Sequence, residues 1–303
     1  MNPSRYWPLL LVLSSLWGAS YMFIELALED LSPAMVVFGR TLLGGLVLLP
    51  VALQRGALGT LRGRLGVVTG LAALQVAGPF LLISFGQEEI SSSLAGILVA
   101  TAPIFTALLA IRVDHDERST GWRLVGIGAG IVGVGLLLGV DVGGDGAALA
   151  GGLMVVLAGL GYALGAFVVK RRLSAPDPVG TVTLTMLASA ALTAPLAFAT
   201  APAAMPGAGS LAALATLGVL GTGLAFVIFY SLIANFGPAR AALVAYIAPG
   251  FAVAYGVALL DERFTAGTAA GLVLILAGSW LAAEGARVPW RPAAAAAPAP
   301  SPP

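Results

Sequence analysis

The sequence predicts an all-α membrane protein: ten transmembrane helices arranged as two inverted five-helix repeats. Three observations predict it: a shortage of charge, a series of apolar stretches each long enough to cross a bilayer, and self-similarity at an offset of 145 or 146 residues. Only 10% of the 303 residues are charged and 59% are hydrophobic, with a mean hydropathy of +0.98. A soluble domain carries about 25% charged residues, so this chain cannot cover a water-facing surface. In lipid a spanning segment must satisfy its own backbone, which leaves helices or a closed barrel. Barrel strands alternate apolar with polar residues over about 10 positions. The stretches here are continuous and approach the roughly 20 residues a helix needs.

The first predicted span, Trp7–Leu28, has an apolar run longer than the roughly 7–15 residues of a secretory signal, and its exit at Ala27–Asp30 offers no cleavage pattern. The next four are Pro33–Leu53, Leu65–Gln87, Ser91–Ile111 and Arg123–Val140. The second half supplies Ala147–Val169, Pro178–Phe198, Ser210–Asn235, Ala239–Leu260 and Phe264–Ala283. Between Pro178 and Ala239 there is no charge, and the stretch is too long for one crossing; the Pro- and Gly-rich segment Thr200–Gly209 splits it in two. The expected organisation is a first repeat over 1–143, a second over 144–286, and a Pro/Ala-rich tail over 287–303 with too little apolar variety to pack.

Ten spans make a claim about charge. With the N-terminus in the cytoplasm, 13 of the 15 basic residues, from Arg5 to Arg291, fall in cytoplasmic segments. Arg263 alone falls outside, and Arg40 lies within a span. Cytoplasmic loops carry the Lys and Arg excess, so the division supports both the count and an inner-membrane protein with both termini inside.

The two halves match in register. Trp17 and Gly18 fall opposite Tyr162 and Ala163, Ser32 and Pro33 opposite Asp177 and Pro178, and Ala102–Phe105 opposite Ala248–Phe251. Asp116, Glu117 and Arg118 meet Asp261, Glu262 and Arg263, after which Gly126 and Gly133 meet Gly271 and Gly278. Five spans is an odd number, so the copies run oppositely through the bilayer, the architecture of many secondary transporters. On these residues the chain resembles the drug/metabolite transporter superfamily, specifically proteins with two EamA-type domains, from Trp7 to Ala283. The resemblance implies ten helices, cytoplasmic termini and export of metabolites such as amino acids. Arg40 is opposed by Thr185, so any role of that arginine belongs to one half only.

Glu25 and Arg40 are the ionisable groups within the spans. A charge at a helix centre in lipid costs about 2.5–3.5 kcal/mol by insertion scales and is usually functional. On one reading Glu25 takes a proton or a solute amine and Arg40 a carboxylate. On the other they form a structural ion pair across the first hairpin, or snorkel to the interface. Ser14, Trp17, Tyr21 and Glu25 share one face of the first helix. With Gln75, Thr101, Tyr162, Tyr230 and Tyr246 they are the candidates for a central solute pocket, ordinary interhelical hydrogen bonds being the alternative. Pro103 and Pro249, at expected helix interiors, are candidate hinges or static kinks. The Glu-Arg pairs at 117–118 and 262–263 precede the fifth and tenth helices, where acidic residues complement the dipole and Thr120 and Thr265 are expected caps.

Other signals are weaker. Gly128–Gly133 fits G-x-G-x-x-G but has no preceding strand, so no dinucleotide site is expected. The pairs Gly66/Gly70, Gly126/Gly130, Gly161/Gly165 and Gly267/Gly271 suit helix packing or a homodimer seam. Lys170–Arg172 fits either topology or an anionic lipid. The single histidine, His115, sits in a charged loop, no carboxylate cluster suits a metal, and cysteine is absent. An enzyme, a bound cofactor and a nucleic-acid partner are therefore not expected. The expected partners are a small-molecule substrate and the bilayer; lipid movement and facilitated diffusion are the competing activities.

Overall fold

The structure is a computed structural model that describes residues 5–113, 121–140 and 144–284. The first half contains α1 (Tyr6–Leu28), α2 (Pro33–Gln54), α3 (Leu65–Gly86), α4 in two pieces (Ser92–Val99 and Ala102–Val113) and α5 (Trp122–Val140). The second contains α6 (Gly146–Arg172), α7 (Pro178–Ala199), α8 (Ala208–Phe236), α9 (Val244–Leu259) and α10 (Ala266–Glu284). Among the described residues, nine of these helices are long and apolar enough to cross a membrane. The tenth, α9, has 16 residues and follows a short helical turn, Pro238–Ala241. The ten expected spans are all present. His115, Glu117, Arg118 and Thr120 lie outside the described residues, as does the tail.

The repeat is legible in how helices begin. The Ser32 hydroxyl accepts from the Met35 amide at 3.2 Å, and Asp177 from the Val179 amide at 2.8 Å. Each cap is followed by a proline at the first helical position, where no amide hydrogen is needed. Pro50 in α2 and Pro195 in α7 also correspond, both inside their helices.

The two halves are interlocked rather than set side by side. Helix α1 packs on α8 and α9 of the second half, while α6 packs on α3 and α4 of the first. Helices α2 and α7, α4 and α9, and α5 and α10 pair directly, so the contacts obey a pseudo-two-fold relation. The largest buried cluster draws Ile24, Leu98, Leu137, Val155, Leu217, Val253 and Ile275 from both halves.

Lipid offers no hydrophobic drive for helix association, so close backbone approach matters more. A Cβ placed on Gly126 would lie 2.7 Å from the Gly278 carbonyl, and one on Gly278 only 2.6 Å from the Gly130 amide. The α5–α10 seam is therefore backbone on backbone. Gly161 and Gly165 similarly seat Pro79 and Gln75 of α3. These glycines serve contacts within one chain, the helix-packing alternative; Gly66 and Gly70 have nothing within 4 Å.

Three helices depart from α geometry. Residues Ala72–Ala77 of α3 and Val219–Leu224 of α8 are π-helical, at equivalent places in the two halves. Helix α4 breaks at Ala100–Thr101, whose amides turn to the carbonyls of Ile97 and Leu98. The other half answers these defects: Ser189 of α7 donates to the Ala72 carbonyl at 3.3 Å, and Ser279 of α10 to that of Ala100 at 2.6 Å. Pro103 consequently stands at the second position of a new helical piece rather than in a helix interior, a correction to the expected kink, because no hydrogen bond is lost there. Pro249 does lie inside α9.

Loop carboxylates stitch distant helices. Glu262 accepts from the Ser92 amide at 2.8 Å, the Ser92 hydroxyl at 2.7 Å and the Ser93 amide at 3.0 Å. It therefore caps α4 rather than serving the dipole of the following α10, and the α10 cap is the expected Thr265, which accepts from the Thr268 amide at 3.0 Å. Asp30 accepts from the Gly207 amide at 2.9 Å and the Ser210 hydroxyl at 2.7 Å, tying the first hairpin to the start of α8.

Candidate functional site

Arg40 is the centre of the site. It sits eight residues into α2, is 6% exposed, and has no carboxylate partner among the described residues. Its Nη2 donates to the Thr222 hydroxyl at 3.4 Å, and its guanidinium carbon lies 3.9 Å from the centroid of the Phe80 ring. The buried Nε has no hydrogen-bond partner. Tyr21 and Tyr162 lie close enough to act on the charge electrostatically. A cation over an aromatic face is stabilised by about 2 kcal/mol or more when desolvated, but an orphaned buried donor costs about 1–3 kcal/mol. The arrangement holds the charge without satisfying it.

The π segments supply the geometry. Within the α8 segment the Thr222 hydroxyl donates to Leu217 five residues back, at 3.0 Å, and turns its lone pairs to Arg40. Phe80 follows the π segment of α3, and Phe226 the one of α8; the two are repeat equivalents. Phe80, Val37, Val76 and Met186 form one buried cluster, against which Tyr162 and Phe226 pack. Trp17, the repeat equivalent of Tyr162, has its ring 5.8 Å from Phe226 and 5.2 Å from Phe229. Tyr230 stacks on Phe226 at 6.2 Å and interacts with Asp177 toward the other end of the bundle. Phe80 thus stands over the cation, Tyr162 and Phe226 pack on its cluster, and Trp17 reaches that cluster through Phe226; Thr185, opposite Arg40, donates to Thr181 of its own helix.

The structure brings Trp17, Tyr21, Tyr162 and Arg40 of the expected residues into this cluster, with Tyr230 at its edge. Gln75 lies in the π segment of α3, half-buried against Gly165. Ser14 is fully buried and donates to Leu10 of its own helix at 2.8 Å. Thr101 donates to Leu98 at the α4 break, at 2.7 Å, facing Gly159 of α6. Tyr246 is half-buried in the first turn of α9. The residues that sequence reasoning missed are Phe80, Phe226, Phe229 and Thr222. The same 146-residue offset that aligned the prolines pairs Phe80 with Phe226, so that signal was present.

Glu25 belongs to a different group. Its carboxylate accepts from Nε2 of Gln87 at 3.3 Å, and the same amide donates to the Tyr21 carbonyl at 2.9 Å. Glu29 and Glu262 are its charged neighbours. The expected ion pair with Arg40 is not formed: Gln87 of α3 takes the carboxylate, and Phe80 and Thr222 take the arginine. Among the described residues no group of His, Cys, Asp or Glu suits a metal ion.

A bundle of apolar, membrane-length helices built as two related halves is the architecture of many secondary transporters. The chain matches the EamA-like transporter family over residues 5–139 and 149–283, and it belongs to that family. It is 29% identical over 261 residues to the "Uncharacterized inner membrane transporter YedA" of Escherichia coli K12, covering 84% of this chain and 83% of that one. It is 26% identical over 298 residues to a "Probable amino-acid metabolite efflux pump" of the same strain, covering 94% and 96%. A solved crystal structure superposes with a TM-score of 0.67 at 21% identity, covering 92% of this chain and 96% of that one, a likeness of fold. The chain is thus a multi-pass inner-membrane transporter and not an enzyme.

Proposed function

We propose that this protein exports small carboxylate-bearing metabolites of the amino-acid kind, through a site alternately exposed to the two sides of the membrane. The observation that carries the reading is Arg40, a buried guanidinium with an orphaned Nε and, among the described residues, no acidic partner. A solute carboxylate offers the planar acceptor that a guanidinium fork matches. The rings of Trp17, Phe80, Tyr162 and Phe226 would take the apolar part of the solute. The resemblance in sequence to an amino-acid metabolite efflux pump supports the same substrate class. The interlocked repeats suit rocking of one half against the other, with Pro249 as a flexing point and Glu25 as the group through which a proton gradient acts. Both termini are assigned to the cytoplasm on the distribution of basic residues.

The test is counterflow in proteoliposomes with a panel of amino acids, the matching amines that lack a carboxyl group, and neutral sugars. Amino acids should exchange and the amines should not. Arg40→Gln should cut amino-acid flux by about 10- to 100-fold, the equivalent of the roughly 1.5–3 kcal/mol of a charged hydrogen bond. Equal flux of amines and amino acids through the wild type, or an unaffected Arg40→Gln variant, would sink the reading.

A further inference from the structure

Beside Glu25 stands a buried acceptor that the transport chemistry proposed above leaves unused. Gln87, at the end of α3, is 3% exposed. Its Nε2 donates to the Tyr21 carbonyl at 2.9 Å and to Glu25 Oε2 at 3.3 Å, which occupies both amide hydrogens. The reversed carboxamide would set an oxygen against two other oxygens, so these partners fix its orientation. Oε1 is then left facing no donor: it is buried and has no hydrogen-bond partner.

Glu25 is half-buried in the last turn of α1 and, among the described residues, accepts from Gln87 alone. Its charged neighbours, Glu29 and Glu262, are both acidic. The oxygen and nitrogen of one carboxamide lie about 2.3 Å apart, which sets Gln87 Oε1 within about 5.6 Å of Glu25 Oε2. Hydrogen bonds of about 2.9 Å from a single donor atom span that separation. The two side chains therefore make an acceptor-only clamp in a negative field, a carboxylate and an amide carbonyl with no donor between them. Tyr21 acts on Arg40 electrostatically from four residues away on the same helix, so the clamp stands about 6 Å along α1 from the wall of the Arg40 chamber.

We propose that Glu25 and Gln87 form a binding site for a small primary amine in its protonated state, the carboxylate and the Gln87 carbonyl sharing its N–H groups. An ammonium carries three donors and no acceptor, the complement of this oxygen pair. A quaternary ammonium offers Oε1 no donor. A hard metal cation takes about six or more oxygens, and among the described residues no group of His, Cys, Asp or Glu suits one. The site extends the coupling role proposed for Glu25, because the amine and the proton become alternative occupants of one carboxylate. Arg40, which takes the solute carboxylate in that reading, is not part of it. An amine without a carboxyl group is therefore held here without being carried.

The test follows the unfolding midpoint of the full chain in an uncharged detergent while one chloride salt replaces another at constant ionic strength. Ethylammonium should raise the midpoint saturably as it replaces tetramethylammonium, and sodium in the same exchange should not. Glu25→Gln and Gln87→Met should each weaken the apparent affinity for ethylammonium by about 10-fold or more, the worth of one charged hydrogen bond. Arg40→Gln should leave the response unchanged, which keeps this site separate from the solute reading of Arg40. No shift with ethylammonium, an equal shift with sodium, a full response in either clamp variant, or loss of the response in Arg40→Gln would overturn the proposal.

Discussion

A single arginine, Arg40, carries the function proposed for this transporter. Arg40 was legible in the sequence because a charge amid apolar residues is costly and rare, but its surroundings were not. The hairpin pairing with Glu25 followed from depth along two adjacent helices; it fails because α3 and α8 insert Gln87, Phe80 and Thr222 as nearer partners. In the proposed mechanism Glu25, held by Gln87 at 3.3 Å, is the group through which a proton gradient acts. Replacing it with Gln should abolish the dependence of transport on a pH gradient while leaving counterflow intact; proton-driven transport of wild-type strength in that variant excludes the coupling. Outside the spans, the Ser210 hydroxyl and the Gly207 amide hold the Asp30 carboxyl below its usual range. A lowered native value means that Asp30 contributes stability above its unfolded value of about 3.9 and loses it as pH falls through the native one. Asp30→Ala should therefore flatten the acid side of the unfolding-midpoint profile below about pH 4, and an unchanged profile would remove Asp30 from the account.

At the scale of elements, the sequence announced helix starts well and helix defects poorly. Ser32–Pro33 and Asp177–Pro178 are local signals, since cap and proline act within one turn. The π segments and the α4 break have no local signature, because the stray carbonyls of Ala72 and Ala100 are satisfied by Ser189 and Ser279, more than a hundred residues away. Glu262 teaches the same lesson: its carboxylate caps the helix that lies beside it in space. Glu262→Ala should cost about 1 kcal/mol, the worth of a helix cap, read as a lower unfolding midpoint. Glycines divide by contact. Gly278→Leu drives a side chain into the Gly126–Gly130 backbone and should cost about 1–3 kcal/mol or more as overpacking. Gly128→Leu, with nothing within 4 Å, is the control; equal stability of the two variants would contradict the α5–α10 seam.

For the whole molecule, the interlocking predicts that neither half stands alone. Helix α1 finds its main partners, α8 and α9, in the other half, and α6 finds α3 and α4. Residues 1–143 expressed alone should aggregate or be degraded, and co-expression with 144–303 should restore a transporting complex. A monodisperse, folded first half by itself would contradict the packing. The absence of cysteine makes orientation directly testable. Arg55→Cys should react with an impermeant maleimide only from the cytoplasmic side and Arg263→Cys only from the outside, and the reverse pattern would invert the topology.

The sequence by itself determined the class of environment, the number of spans and the doubling of the chain. Hydrophobicity, charge placement and register are properties of residue order alone, and lipid permits few backbones. The tertiary structure decided which helices touch and what surrounds the buried Arg40. Those depend on inter-repeat partners brought together only when α1 and α6 cross into the opposite halves. Phe80 and Phe226 show the border between the two: their equivalence was written in the sequence, but their packing in one cluster beside Arg40 required the fold.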